Sequence, residues 1–264
     1  MRRVLLMALL AGSVAVAQEA LVLRAGVIGG MVTSGFWEAL SHDFRARSGI
    51  AIEVVASGPK HPIDVVARQE SLDIVTMHSS DVMAHLVGEG LYEGLTPWVK
   101  NRQALLGPSS NPAGLLPTDT LEQAMTKLVA TKAPVLIGAS AGSLEVWHRI
   151  EQSLGITLHE EQRHFSAKTQ GFLREAQALN AYVLFGDIPF AQRKLGASPL
   201  VRYGYDSPLL ERPYVAIIGT QKRIGKARYD AARQFLDYLR SVHVKAIINS
   251  YRQQNSQEQI FFAF

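Results

Sequence analysis

The chain has 264 residues with 27 basic and 23 acidic side chains, a formal charge of +4, so its length allows one large domain or two modest ones. Its 47% apolar and 19% charged content suffices for a core and excludes a disordered chain, and no run of four Lys or Arg marks a nucleic-acid face. Zero cysteines exclude disulfides, thiolate metal sites, cysteine nucleophiles and a cysteine-linked lipid.

Arg2 and Arg3, the apolar stretch Val4 to Ala11 and the small-x-small Ala15-Val16-Ala17 predict a signal peptide over residues 1–17. That stretch is too short to span a hydrocarbon core of about 30 Å, and no later apolar run is long enough either. An exported protein without a lipid anchor is expected in the periplasm.

The mature chain then alternates strands and helices. Leu21 to Ile28 reads as a strand, and Ser34 as the cap of a helix carrying Phe36, Leu40 and Phe44 on one face until Gly49. Ile50, Ile52 and Val54 alternate as a strand, Pro62 to Gln69 is a short helix, and Leu72 to Met77 a third strand. Asp81 to Val87 is a helix, Ala104 to Leu106 a strand, and Asp119 caps a helix with Leu121, Met125 and Leu128 in one stripe. Val135 to Ile137 is a strand before a helix lined by Leu144, Trp147, Ile150 and Leu154. A helix over Phe172 to Leu179, strands at Tyr182 to Phe185 and Val215 to Ile218, and a helix from Ala231 to Leu239 follow. Such repeats predict an α/β fold with mixed, mostly parallel sheets and helices on both faces.

Parallel strands present ligands at their carboxyl ends. Small and hydroxyl residues recur there: Gly29, Gly30, Thr33 and Ser34; Ser57 and Gly58; His78 and Ser79; Ser140, Ala141, Gly142 and Ser143. Each group precedes a helix, where backbone N–H groups and the helix dipole favour an anion. Together they predict a polar ligand site. Lys60 and His61 stand beside the second loop and could add positive charge.

The order of these segments resembles the extracellular tungstate-binding proteins, the solute receptors of ABC importers with a type 2 periplasmic-binding fold. The resemblance rests on Glu70-Ser71-Leu72-Asp73-Ile74-Val75-Thr76-Met77-His78, on Val87-Gly88-Glu89-Gly90, and on Asn101 through Gly107-Pro108 with Asn111-Pro112-Ala113-Gly114. Ala141-Gly142-Ser143 with Glu145 and Trp147, then Arg212-Pro213-Tyr214 and the helix through Phe235-Leu236, continue it. It implies two lobes, 18–101 plus 206–264 and 102–205, closing on a small oxyanion, tungstate or molybdate, in the cleft between them. An ABC permease would be the partner, and the receptor a monomer without a cofactor. Another small anion or an organic solute is the alternative ligand, and a sensor or chaperone role the alternative use of the fold.

The ligand loops depart from the family. Gly29-Gly30-Met31 replaces a loop rich in Thr and Ser, Ile137 stands where an arginine is expected, and a second expected arginine falls on Asp187. An aspartate after Asn101 is replaced by Arg102. The paired reversal predicts an ion pair between Arg102 and Asp187 across the cleft.

One motif points to a different class. Gly138-Ala139-Ser140-Ala141-Gly142 matches G-x-S-x-G between a predicted strand and helix. With Asp187, Asp206, Asp230 or Asp237 and then His243, it would give a serine hydrolase. The eight histidines have no metal-site spacing: His159 and His164 do not share a helical face, and no metal is expected.

Overall fold

The computed structural model describes residues 21–138, 141–168, 171–192, 200–252 and 258–264, with backbone alone at 141–142. The expected leader and Ser140 lie outside the described residues. The chain begins β1 (Val22–Ile28), α1 (Gly29–Thr33), α2 (Phe36–Ser48), β2 (Ala51–Gly58), α3 (Lys60–Gln69), β3 (Ile74–His78), α4 (Asp81–Gly88) and β4 (Tyr92–Pro108). It continues through α5 (Leu121–Thr131), β5 (Val135–Gly138), α6 (Ala141–Leu154), β6 (Arg163–Ser166), α7 (Phe172–Ala178), β7 (Val183–Gly186), α8 (Asp187–Gln192) and β8 (Leu200–Tyr203). It closes with β9 (Glu211–Gly219), α9 (Gln221–Ile224), α10 (Lys226–Leu239), α11 (Val242–Ser250) and β10 (Phe262–Ala263).

The main sheet has the order β10-β4-β9-β3-β1-β2, with β7 and β8 also paired to β4, and β5 pairs separately with β6. Pairs joined through helices are parallel: β1 with β2 and β3, and β5 with β6. Every antiparallel pair involves β4 or β9. The α/β class with a mixed sheet and flanking helices is therefore present.

Local chemistry explains most boundaries. The stripe Phe36, Leu40 and Phe44 is buried, and Gly49 ends α2 at φ 75°, where a side chain would be strained. Gly35, not Ser34, takes the N-cap of α2. Ser34 instead donates to the Met31 carbonyl at 3.1 Å, because Gly29–Thr33 is itself a helical turn. Thr120, not Asp119, caps α5 in a reciprocal capping box with Gln123. Asp119 pairs with Lys127 at 2.7 Å.

The largest difference from expectation is β4, which runs 17 residues where only Ala104 to Leu106 was predicted. Gly94 and Pro97 break its alternation, and its register with β9 shifts between Glu93 and Thr96 and between Pro97 and Val99. Glycine and the missing N–H of proline are tolerated at such irregularities.

One hydrophobic core gathers residues from Leu23 to Val99 and from Tyr214 to Phe261. Two others lie between Ala104 and Leu210. The chain passes between these cores along β4 and back along β9. Contacts bridge the two sides away from these strands: Ile188 of α8 packs with the first core, and Gln192 donates to Thr33 at 2.9 Å. Lys60 lies 3.4 Å from Glu145.

The predicted ion pair between Arg102 and Asp187 is not formed. Arg102 sits opposite Glu211 in the β4–β9 register and pairs with it at 3.3 Å and with Asp206 at 3.2 Å. Asp187 is taken by Arg202 at 2.8 Å. Arg102 is held by its β4–β9 neighbour Glu211 and Asp187 by Arg202 of β8, so no direct ion pair joins them, although the Arg102 charge still acts on Asp187.

Candidate functional site

Alternate residues of a strand share a face. On β4 these are Val99, Asn101 and Gln103; the register sets Val99 against Tyr214 and Asn101 against Arg212, and β3 sets His78 against Tyr214. His78, Asn101, Gln103, Arg212 and Tyr214 therefore form one polar floor where the strands cross between the cores. A cavity of about 440 Å³ lies over it. Phe172, Phe185, Ile188 and Pro189 wall it, with Gly30, Gly138, Ser143, Ala167 and Lys168 completing the lining. A smaller cavity of about 150 Å³ shares His78 and Arg212 and adds Ser79, Glu145 and Arg149.

Arg212 carries the electrostatics of the floor. It is largely buried, and desolvation lowers its pKa, yet a guanidinium stays charged at neutral pH. Among the described residues its side chain makes no hydrogen bond and no ion pair. Leaving a charge buried and unpaired costs several kcal/mol (roughly) unless a counter-charge arrives. Arg149, beside it, is different: its guanidinium donates to the Leu209 and Glu211 carbonyls, at 2.5 and 2.7 Å.

His78 stacks on Tyr214 with ring centroids 4.0 Å apart. Burial, then the charges of Arg212 and Lys60, hold its pKa well below 6.5, so it is neutral at pH 7. Its Nε2 lies 3.3 Å from Asn101 Oδ1. An amide oxygen only accepts, which places the proton on Nε2 and leaves the Asn101 NH₂ group as a donor. The Tyr214 hydroxyl is buried without a hydrogen-bond partner, and burial raises its pKa. The floor thus offers one full positive charge and several neutral polar groups.

The predicted ligand residues divide. Gly30, His78 and Ser143 line the main cavity and Ser79 the smaller one. Gly29 and Gly58 are used against each other: a Cβ on Gly29 would lie 3.2 Å from the Gly58 Cα. Thr33 accepts from Gln192, Ser34 is buried under α2, and Ser57 is exposed; none of the three lines either cavity. Ala141 and Gly142 open α6 in the backbone. Ile137 is buried in a core, so neither it nor the Arg202-bound Asp187 brings positive charge to the site.

The sequence reading missed Asn101, Gln103, Arg212 and Tyr214 as site residues. Their signal was the polar alternation Asn101-x-Gln103 and Arg212-x-Tyr214 beside apolar runs. It went unread because both strands were expected to begin after it.

Ser140 of the G-x-S-x-G motif lies outside the described residues, and among those described His243 is taken by a carboxylate of another helix. Its Nε2 lies 2.9 Å from Asp43 of α2, and Asp187, Asp206 and Asp230 pair with Arg202, Arg102 and Lys226. Among the described residues no group of three or more His, Asp or Glu is placed to hold a metal ion. No described helix is long and apolar enough to cross a membrane.

The two-sided α/β fold has counterparts among known proteins. The chain belongs to the bacterial extracellular solute-binding protein family, whose model matches residues 26–251. It is similar in structure to the tungstate-binding protein TupA from Desulfovibrio alaskensis G20, with TM-score 0.79, 18% identity, and 93% of this chain and 99% of that one covered. The tungstate ABC transporter structure from Geobacter sulfurreducens matches with TM-score 0.70 and 20% identity, covering 87% of this chain and 98% of that one. A substrate-binding domain assigned to a molybdenum ABC transporter from Clostridium difficile matches at 0.58 and 14%, covering 92% and 99%. At these identities the likeness is one of fold. A search of curated proteins finds no match.

Proposed function

We propose that this protein is the periplasmic receptor of an ABC importer, holding a small anionic solute in the main cavity against Arg212. The observation that carries this reading is the partly buried, desolvated guanidinium of Arg212, which has no hydrogen bond or ion pair among the described residues. An anion would supply the missing counter-charge, and Asn101, Ser143 and Lys168 lie where they could add donors. Binding and release occur without covalent change, and an exported chain would meet its permease at the inner membrane.

The lobes are taken as 18–101 plus 206–264 and 102–205, closing about β4 and β9. The separate cores support this, and Leu210 in the second core moves the return crossing a few residues later, to Glu211–Arg212. Closure of two lobes on a solute is a hinge motion about these strands. Tungstate or molybdate is suggested by the likeness to the tungstate-binding structures. An organic anion is favoured by the apolar walls of the cavity.

Calorimetric titration of protein that has been unfolded, stripped of ligand and refolded tests this reading. The panel is tungstate, molybdate, sulfate, acetate and benzoate. Saturable one-to-one binding of at least one anion, lost in Arg212→Gln, is expected. A correctly refolded protein that binds none of them overturns the reading.

A further inference from the structure

We infer that the solute is an organic monoanion, a carboxylate carrying a compact apolar body, rather than a bare tetrahedral oxyanion. The inference rests on the anion site at Arg212 and follows from charge, wall chemistry and volume.

Charge comes first. Arg212 is the cation of the floor, because His78 is neutral and Asn101, Gln103 and Tyr214 are uncharged, and the nearby Lys60, whose charge also reaches His78, is held 3.4 Å from Glu145. Lys168 is at the edge, two-thirds exposed, and lies 3.6 Å from Glu175. One buried positive charge matches one negative charge. A dianion would leave half of its charge in a desolvated site without compensation, an arrangement low-dielectric surroundings penalise.

The walls give the second argument. A tetrahedral oxyanion presents oxygens in every direction and needs donors on all sides. Among the described lining residues the donors are those of the floor with Ser143 and Lys168, while Phe172, Phe185, Ile188 and Pro189 present carbon. Phe172 and Ile188 are themselves 8% and 2% exposed, so they are built into the packed structure rather than swung in from solvent. An apolar body removed from water against such walls is stabilised in proportion to its buried area.

Volume agrees. At about 440 Å³ the cavity falls within the roughly 300–1,000 Å³ of organic-ligand pockets, and a central atom with its oxygens would leave much of it to water. The two sides already touch through Lys60 and Glu145, Gln192 and Thr33, and Gly30 and Ile188. A carboxylate on Arg212 with its body between Phe172 and Phe185 would use every wall.

The test uses ligand-stripped, refolded mature protein and two pairs of probes: benzoate with acetate, and tungstate with sulfate. Benzoate should bind about 10-fold or more tighter than acetate, the burial of a ring being the only difference, and tighter than tungstate. Phe185→Ala should weaken benzoate about 10-fold while leaving acetate close to wild type, with Phe185→Leu restoring part of the loss if the alanine variant folds poorly. Arg212→Gln should remove benzoate binding. Tight tungstate binding with benzoate no better than acetate would overturn the inference and leave the anion receptor standing. Benzoate binding unchanged in Arg212→Gln would overturn both, while a folded protein that binds none of the four would overturn the inference.

Discussion

The two faces of the β4–β9 ribbon carry the same kinds of residue and treat them in opposite ways. On one face Lys100 and Arg102 meet Glu211, at 2.7 and 3.3 Å, and Arg102 also lies over the Phe262 ring at 4.2 Å. On the other face Arg212, the very next residue after Glu211, stands over a cavity with no hydrogen bond or ion pair among the described residues. A strand turns consecutive side chains to opposite faces, so a carboxylate one residue away is out of reach. Strand alternation thus separates cations that the ribbon pairs with its own carboxylate from one that, among the described residues, it leaves without an ion pair.

The comparison is broken most directly by removing the unpaired charge. Arg212→Gln should weaken anion binding by about 2–5 kcal/mol while leaving the ligand-free protein as stable as before or more so, since a buried uncompensated charge is lost. Calorimetry and a thermal melt on one preparation read both effects; a variant that melts lower and binds as well as the parent would refute the assignment. On the paired face the signs reverse. Glu211→Gln should cost about 1–3 kcal/mol of stability in a urea titration, because Lys100 and Arg102 lose a partner together, with affinity close to wild type.

The third prediction concerns pH. His78 in the folded protein is held below its ordinary value by burial and by two cations, whereas in the unfolded chain it titrates near about 6.5. Just below that pH the unfolded chain binds more protons, so stability falls as the solution is acidified through this window. His78→Gln should flatten that part of the stability profile, and an unchanged slope would show that other groups produce it. The smallest effect is expected at the contact between Lys60 and Glu145. Glu145 is half exposed, so Lys60→Ala should cost about 0–1 kcal/mol, a difference that added salt should shrink.

Much of the fold was legible because short-range rules decide it. The stripe Phe36, Leu40 and Phe44 announced a helix, Gly49 its end, and Leu121, Met125 and Leu128 another buried face, all as observed. The long β4 was not legible, since Gly94 and Pro97 read locally as breakers and pairing with β9 before and after the irregularity, joined by β10 at Val99 and Lys100, holds the segment extended. Of the main cavity's lining, Gly30, His78 and Ser143 belong to strand-end loops singled out in the sequence, the part of an α/β fold that local sequence marks, and Ser79 lines the smaller cavity. Asn101, Gln103, Arg212 and Tyr214 lie within strands, where nothing nearby in sequence says which face looks into a cavity.

The sequence by itself determined the α/β class, most helices and their capping glycines, and the absence of any cysteine chemistry, because each depends on residues within one or two turns of each other. Only the tertiary structure decided that Arg102 would be paired and Arg212 left over. That outcome turns on the register between β4 and β9, which are separated by more than a hundred residues of chain, and a shift of one residue would have exchanged the two faces.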